Sequence, residues 1–160
     1  MTAATHSASE EPASVYLHAG ELFASATACT IATIVGSCVA VCLFDPTRGI
    51  GGANHYLLSE AFGSAQASAR FGSVAIPELV LRALALGSRK SDLSAKIFGG
   101  ASTTAALGAG AASLGAKNVQ IARRILSAER IPIVAEDVGG ERGRKILFHT
   151  AEGHVWVRKL

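Results

Sequence analysis

The chain has 160 residues, of which 49% are hydrophobic and only 17% are charged. This length suits one domain with its own core and is too short to expect two, and the apolar content excludes an intrinsically disordered protein. The net charge of +3 comes without a long run of lysine or arginine. The sequence therefore favours a mildly basic, solvated surface over nucleic-acid binding.

The first part of the chain is predicted to be a tail followed by short strands. Residues 1–14 are small, polar and acidic, which is typical of disorder, so the domain is expected to span 15–160. Strands are predicted over 15–18 and, with an interruption, over 23–34. The uncharged stretch 22–44 is long enough for a membrane span. Its serines, threonines and β-branched residues instead favour buried strands, and no signal peptide is evident.

The strand predicted over 39–44 is apolar on both faces. Its two faces carry Val39, Val41 and Leu43 on one side and Cys38, Ala40, Cys42 and Phe44 on the other. A strand of this kind is covered on both sides. The sequence therefore predicts an α/β fold in a single domain, a layered sandwich of mainly antiparallel or mixed β-sheet with flanking helices.

A turn at Asp45–Gly49 follows this strand and leads to a histidine. A two-residue loop would place Cys38 opposite His55, whereas a loop over 46–49 would place Ala40 opposite His55 and make Cys38 a diagonal neighbour. Both registers put Cys38 and His55 on one face, because side chains alternate with period two. Opposed Cβ atoms lie roughly 5 Å apart, which allows a thiolate–imidazole contact.

The cysteines have a chemical and a structural interpretation. Cys38 follows Gly36-Ser37, which can expose the sulfur and leave N–H groups free to bind an oxyanion. A neighbouring histidine generates the thiolate nucleophile of many hydrolases. Free cysteines more often act as small buried hydrophobes, and this interpretation is favoured for Cys29 and Cys42. The odd cysteine number and the lack of zinc-type spacing indicate reduced thiols in a cytoplasmic protein.

Two helices and four strands are predicted after the hairpin. The first helix covers 73–86 with Gly87 as its C-cap, and the second covers 118–128. Residues 101–116 are rich in small residues and are predicted to form a loop, and the Gly99-Gly100 pair is interpreted as an ordinary turn. The predicted strands cover 96–98, 131–135, 144–150 and 155–159, the last two forming a hairpin.

Several longer segments of the chain carry a resemblance to a known family. They are GSCVAVCLFDPTRGIGGANHYLL at 36–58, the Phe71-Gly72 and Glu78-Leu79 region, AKIFGGA at 95–101, LGAKNV at 114–119 and EDVGGERGRKILFHTAEGHVWVRK at 136–159. In this order they resemble the chemoreceptor glutamine deamidase family (CheD), and the resemblance spans most of residues 15–160.

The resemblance implies a chemistry and a set of site residues. It implies a protein-glutamine deamidase that converts receptor glutamines to glutamate through a cysteine thioester, without a metal or organic cofactor. Cys38 would be the nucleophile and His55 the base. The family threonine that completes the site aligns with Ala32. Thr33 is the adjacent candidate, and either a bulge turns Thr33 towards the site or another group orients His55.

The resemblance also implies partners and a location. The protein substrate would be the cytoplasmic region of methyl-accepting chemotaxis receptors, and a CheC-type phosphatase is a further expected partner. The protein would be cytoplasmic, not an integral membrane protein, and would not bind nucleic acid. Two alternatives remain open, a non-catalytic or weakly catalytic adaptor that binds receptors and the phosphatase, and an unrelated cysteine peptidase or amidase.

Overall fold

The computed structural model describes residues 13–60, 68–102 and 109–160, with the side chains of 109–113 left out of the description. Most of the predicted tail, residues 1–12, lies outside the described residues, and the first strand already begins at Ala13. No helix in the described part of the chain is long and apolar enough to cross a membrane. The uncharged stretch 22–44 contains three β-strands.

The described residues contain nine strands and two α-helices. The strands are β1 (Ala13–Tyr16), β2 (Leu22–Ser25), β3 (Cys29–Val35), β4 (Val39–Asp45), β5 (Ile50–Asn54), β6 (Ser94–Gly99), β7 (Ile133–Val138), β8 (Arg144–His149) and β9 (His154–Lys159). The helices are α1 (Gly72–Ala85) and α2 (Ala109–Ala128), with a short 3-10 helix at Lys90–Asp92. The predicted C-terminal hairpin is confirmed, whereas β7 begins two residues later than predicted.

The strands form two sheets that pack face to face. One sheet has the order β1-β3-β8-β9 and the other the order β2-β5-β4-β6-β7. The β1–β3 and β6–β7 pairs are parallel and the other pairs are antiparallel. Both helices pack into one core with the same face of the five-stranded sheet. The structure therefore confirms the predicted α/β sandwich, with the layers in the order helices, five-stranded sheet, four-stranded sheet.

β4 lies at the centre of the five-stranded sheet and is buried on both faces, as its sequence predicts. Val39, Val41 and Leu43 pack with the two helices in one core. Ala40 and Cys42 pack towards the four-stranded sheet in a second core. Each fully buried valine or leucine contributes roughly 1.5–3 kcal/mol. Because β4 belongs to both cores, it is a firmly held base for the turn that precedes it.

The predicted interrupted strand over 23–34 consists of two strands in different sheets. β2 belongs to the five-stranded sheet and ends at Ser25. The Ser25 hydroxyl accepts a hydrogen bond from the Thr27 N–H (3.0 Å) and donates to the Thr27 carbonyl (2.8 Å). This local turn redirects the chain, and β3 begins at Cys29 in the four-stranded sheet.

The β4–β5 hairpin has the longer of the two predicted loops. Asp45 pairs with Ile50, which leaves 46–49 as the loop. The Asp45 carboxylate accepts the backbone N–H groups of Thr47 (2.9 Å) and Arg48 (3.2 Å). Arg48, which would stand opposite Asp45 around a two-residue loop, is therefore held inside the turn. Gly49 closes the loop at a φ of +67°, which glycine adopts at little cost. The two-residue loop is therefore wrong.

The helix predictions are confirmed for α1 and corrected for α2. α1 ends at Ala85 with Leu86 as its C-cap, one residue before the predicted positions. Gly87 follows at a φ of +116°, and its N–H donates to the Leu84 carbonyl (3.0 Å). α2 begins at Ala109, so the loop predicted over 101–116 is wrong in its second half, while 103–108 lie outside the described residues. Alanine has the highest helix propensity, and it outweighs the glycines here.

The small residues of α2 have a packing role. A Cβ on Gly115 would lie 2.4 Å from the Gly100 carbonyl oxygen, a distance that real Cβ atoms do not reach. The helix therefore approaches the end of β6 more closely than a larger residue would allow. The small residues of this segment, which resemble those of a loop, therefore allow a close contact between a helix and a neighbouring backbone.

Candidate active site

The turn Gly36–Cys38, called the cysteine turn below, connects β3 with β4 and so crosses from one sheet to the other. The Cys38 carbonyl accepts a hydrogen bond from the Gly100 N–H (2.9 Å), and the Gly36 carbonyl accepts one from the Ala101 N–H (2.9 Å). The C=O and N–H of a trans peptide point in opposite directions. These bonds therefore direct the N–H groups that follow the two carbonyls away from the end of β6.

Gly99 makes this contact with the cysteine turn possible. It has a φ of +110°, and a Cβ there would lie 2.2 Å from the Cys38 carbonyl oxygen. Only glycine fits a position that is both left-handed and this crowded. The Gly99-Gly100 pair is therefore not the ordinary turn that its sequence suggested, because its backbone holds Cys38 in place.

His55 lies just beyond β5 and on the same face as Cys38. The main chains of Val39 and Tyr56 exchange two hydrogen bonds of 3.1 and 3.0 Å, which extends the β4–β5 register. Ala40 then stands opposite His55, and Cys38 is a diagonal neighbour of His55. Diagonal neighbours lie roughly 7–8 Å apart, within reach of a ring side chain. The register thus places the predicted pair on one face of the sheet.

Thr33 on β3 holds the imidazole of His55. Its Oγ1 lies 2.7 Å from His55 Nδ1 and 2.8 Å from the Leu17 carbonyl oxygen. Thr33 is 2% exposed and His55 6%. A carbonyl can only accept, so the single hydroxyl proton goes to Leu17 and the Thr33 oxygen accepts the His55 Nδ1–H. This assignment leaves His55 Nε2 as the nitrogen with a free lone pair.

The position of Thr33 corrects the expectation about the third site residue. β3 pairs with β8 in one unbroken register from Thr30 to Val35, so it contains no bulge. Its inward side chains are Ile31, Thr33 and Val35. Ala32 therefore faces outwards and Thr33 faces His55. The expectation that Thr33 needs a bulge to reach the site is wrong, because it took the aligned position, Ala32, as the one that faces the site.

Burial shapes the electrostatics of the pair. It raises the pKa of the Cys38 thiol, an effect opposed by the cysteine's own backbone N–H. Burial also lowers the pKa of His55, opposed by the Leu17 backbone and the charge of Glu21. Near neutral pH the resting site is therefore a protonated thiol beside a neutral imidazole. A base must remove the thiol proton, and His55 is in the protonation state to do so.

The other two cysteines have the structural role predicted for them. All three cysteines are free, and Cys29 and Cys42 are buried. Burial raises the pKa of Cys42 to about 12, which keeps this thiol protonated and unreactive. Within the described residues, no group of three or more His, Cys, Asp or Glu side chains is placed to hold a metal ion.

Comparison with known proteins identifies the family. A family model described as CheD chemotactic sensory transduction matches residues 57–159. A protein of Anaeromyxobacter dehalogenans, named probable chemoreceptor glutamine deamidase CheD 1, is 51% identical over 92% of this chain and 85% of its own length. The chain belongs to the CheD family.

Further CheD relatives support this assignment. A protein of Sulfurimonas denitrificans, named probable chemoreceptor glutamine deamidase CheD, is 43% identical over 89% of this chain and 92% of its own length. A protein of the same name from Trichlorobacter lovleyi is 42% identical over 88% of this chain and 86% of its own length. The CheD family model begins at Leu57, beyond Cys38 and His55. An alignment over 92% of the chain necessarily crosses both positions, since they lie far from the termini.

The structure adds one residue that sequence reasoning did not assign. Asn118 lies on α2 and is fully buried. Its Nδ2 donates to the carbonyl of Ser37 (3.0 Å) and to the carbonyl of Leu57 (2.8 Å). It belongs to the LGAKNV segment that resembles the CheD family. An amide next to Val119 on the inward side of an otherwise apolar helix face was the signal available in the sequence.

Proposed function

We propose that this CheD-family chain is a protein-glutamine deamidase that acts on the cytoplasmic region of chemotaxis receptors. In this proposal Cys38 is the nucleophile, His55 the general base, and Thr33 the group that orients His55. The observation that carries it is the 2.7 Å contact from Thr33 Oγ1 to His55 Nδ1, on the face that His55 shares with Cys38. The names of the relatives, chemoreceptor glutamine deamidases, supply the substrate class.

The first half of the reaction forms a thioester. His55 Nε2 takes the proton from Cys38 Sγ, and the thiolate attacks the side-chain carboxamide carbon of a receptor glutamine. The carboxamide oxygen becomes an oxyanion, and the N–H of Cys38 itself is the proposed donor to this oxyanion. The C–N bond then breaks, the imidazolium gives its proton to the leaving nitrogen, and ammonia departs.

The second half hydrolyses the thioester. A water molecule gives a proton to His55 Nε2 and attacks the thioester carbon. The C–S bond breaks, the sulfur recovers a proton from the imidazolium, and the glutamine has become a glutamate. Thr33 accepts the Nδ1–H bond throughout, which is strongest when His55 is cationic. The sum is one water consumed and one ammonia released.

The test is incubation of the protein with a receptor cytoplasmic fragment, followed by tandem mass spectrometry of the fragment and a measurement of released ammonia. We expect glutamate at specific glutamine positions, one ammonia per conversion, and no peptide-bond cleavage. His55→Ala should lower the rate by roughly 10²–10⁴-fold, because it removes the general base. His149→Ala, at a histidine on the outer face of the other sheet, is the matched control and should keep the activity.

Three outcomes would contradict the proposal. A His55→Ala variant with the wild-type rate would remove His55 from the chemistry. Cleavage of the fragment's backbone would favour the cysteine peptidase. Receptor binding with no conversion by the wild-type protein would favour the adaptor.

A cytoplasmic location and a CheC-type phosphatase partner belong to the same proposal. The free Cys29, Cys38 and Cys42 suit a reducing compartment. Titration of the chain with a purified phosphatase of this type, monitored by calorimetry, tests the partner. Saturable heat that survives in the Cys38→Ala variant would support an adaptor role beside the enzymatic one, and no heat with either protein would remove the partner from the account.

A further inference from the structure

Asn118 connects the two segments that carry the cysteine and the histidine. One hydrogen of its amide group goes to the carbonyl of Ser37, the residue before Cys38, at 3.0 Å. The other goes to the carbonyl of Leu57, two residues after His55, at 2.8 Å. One side chain on α2 therefore spans the cysteine turn and the chain that follows β5.

The orientation of the amide follows from its surroundings. Both neighbours are carbonyl oxygens, which only accept, so the NH₂ group must face them. The Asn118 Oδ1 then points elsewhere and finds no hydrogen-bond partner among the described residues. A buried polar atom without a partner is destabilising, and native proteins contain few of them. An apolar side chain at this position would leave the carbonyls of Ser37 and Leu57 without these two donors.

The bond to Ser37 also aims the peptide that precedes the reactive sulfur. The Ser37 carbonyl and the Cys38 N–H belong to one planar trans peptide and point in opposite directions. Holding the carbonyl against α2 therefore turns the Cys38 N–H to the other side. The same peptide plane would donate to the oxyanion of the reaction.

We propose that Asn118 is a positioning residue for catalysis. It fixes the spacing between Cys38 and His55 and directs the Cys38 N–H, while touching neither the substrate nor the reacting atoms. The inference rests on the proposed roles of Cys38 and His55. The hydroxyl of Tyr56 donates to the main-chain carbonyl of Asn118, so the helix is joined to the residue after His55 by a second contact.

The test compares Asn118→Leu with the wild type. Leucine keeps the branched shape and the number of side-chain heavy atoms and removes both donors. We expect kcat for the receptor fragment to fall by roughly 100-fold, as displaced catalytic groups do. KM should stay within about threefold, because Asn118 does not contact the substrate. The rate of Cys38 alkylation by iodoacetamide, resolved from Cys29 and Cys42 by tandem mass spectrometry, should fall severalfold because His55 no longer assists thiol deprotonation.

The matched control is Leu126→Ala, which opens a cavity on the same helix away from the site. It should lower the melting temperature and leave kcat and Cys38 alkylation unchanged. A folded Asn118→Leu protein with kcat within about twofold of wild type and normal alkylation would overturn the proposal. An equal loss of kcat in Leu126→Ala would also overturn it.

If the Asn118→Leu protein does not fold, the Asn118→Ser protein is measured instead, and the same limits on kcat and on Cys38 alkylation apply to it. The alkylation measurement keeps this proposal separate from the proposed function. If the wild-type protein converts no receptor glutamine, the deamidase proposal fails, and the alkylation rate still reports whether Asn118 sets the state of Cys38.

Discussion

Replacing Thr33 with valine removes one hydroxyl and keeps the shape of the side chain. The change leaves the His55 Nδ1–H and the Leu17 carbonyl without their partner in a buried site. When His55 takes the thiol proton it becomes cationic, and a hydrogen bond to a charged group contributes about 1.5–3 kcal/mol. Since 1.36 kcal/mol corresponds to about a factor of ten in rate, kcat should fall roughly 10- to 150-fold.

The assay is kcat for conversion of the receptor fragment, measured beside two controls. Thr33→Ser keeps the hydroxyl and should retain most of the activity. Thr30→Val removes a bond of the same kind, 3.1 Å from Thr30 Oγ1 to His149 Nδ1 on the opposite face of the strand, and should leave kcat unchanged. Ala32→Thr should not rescue Thr33→Val, because position 32 faces away from His55. A folded Thr33→Val protein with near wild-type kcat would refute the reasoning, and so would an equal loss in Thr30→Val.

Three further predictions concern titration and stability. The acid limb of kcat/KM against pH should lie below the 6.5 of an unperturbed histidine, because burial lowers the pKa of His55 and protonation removes the base; a midpoint above that value would contradict this. Gly99→Ala should lower the melting temperature and slow Cys38 alkylation, since its Cβ would lie 2.2 Å from the Cys38 carbonyl oxygen; unchanged values of both would argue against the close contact. Asp45→Ala should lower the free energy of unfolding in urea by about 1–3 kcal/mol, because the buried carboxylate accepts hydrogen bonds from Ser88 and from the loop N–H groups. A decrease under about 0.5 kcal/mol would mean that these bonds contribute little.

The shared face of Cys38 and His55 was predictable because it depends on local rules. Period-two alternation along β4 and a single turn place both residues on one face, whichever loop forms. The loop itself needed more than turn propensity, since the Asp45 carboxylate selects the longer form by accepting N–H groups inside the turn. The two-sided burial of β4 followed from its composition in the same way.

The groups that hold the pair could not be predicted in the same way, because they come from distant parts of the chain. Thr33 reaches His55 only after the chain has crossed between sheets, and alternation along one strand says nothing about that crossing. Gly99 and Asn118 contact the cysteine turn from β6 and α2. The local sequence favoured a turn at Gly99 and a helix at Asn118, and only the packing shows that both contact the cysteine turn.

The most direct test of the account is the rate of glutamate formation in the receptor fragment with Cys38→Ala beside Cys42→Ala. Both substitutions remove one thiol from the same apolar segment, but Cys42 is buried and unreactive. The account predicts no conversion above the uncatalysed background with Cys38→Ala and near wild-type conversion with Cys42→Ala. Wild-type conversion by the Cys38→Ala protein would contradict it.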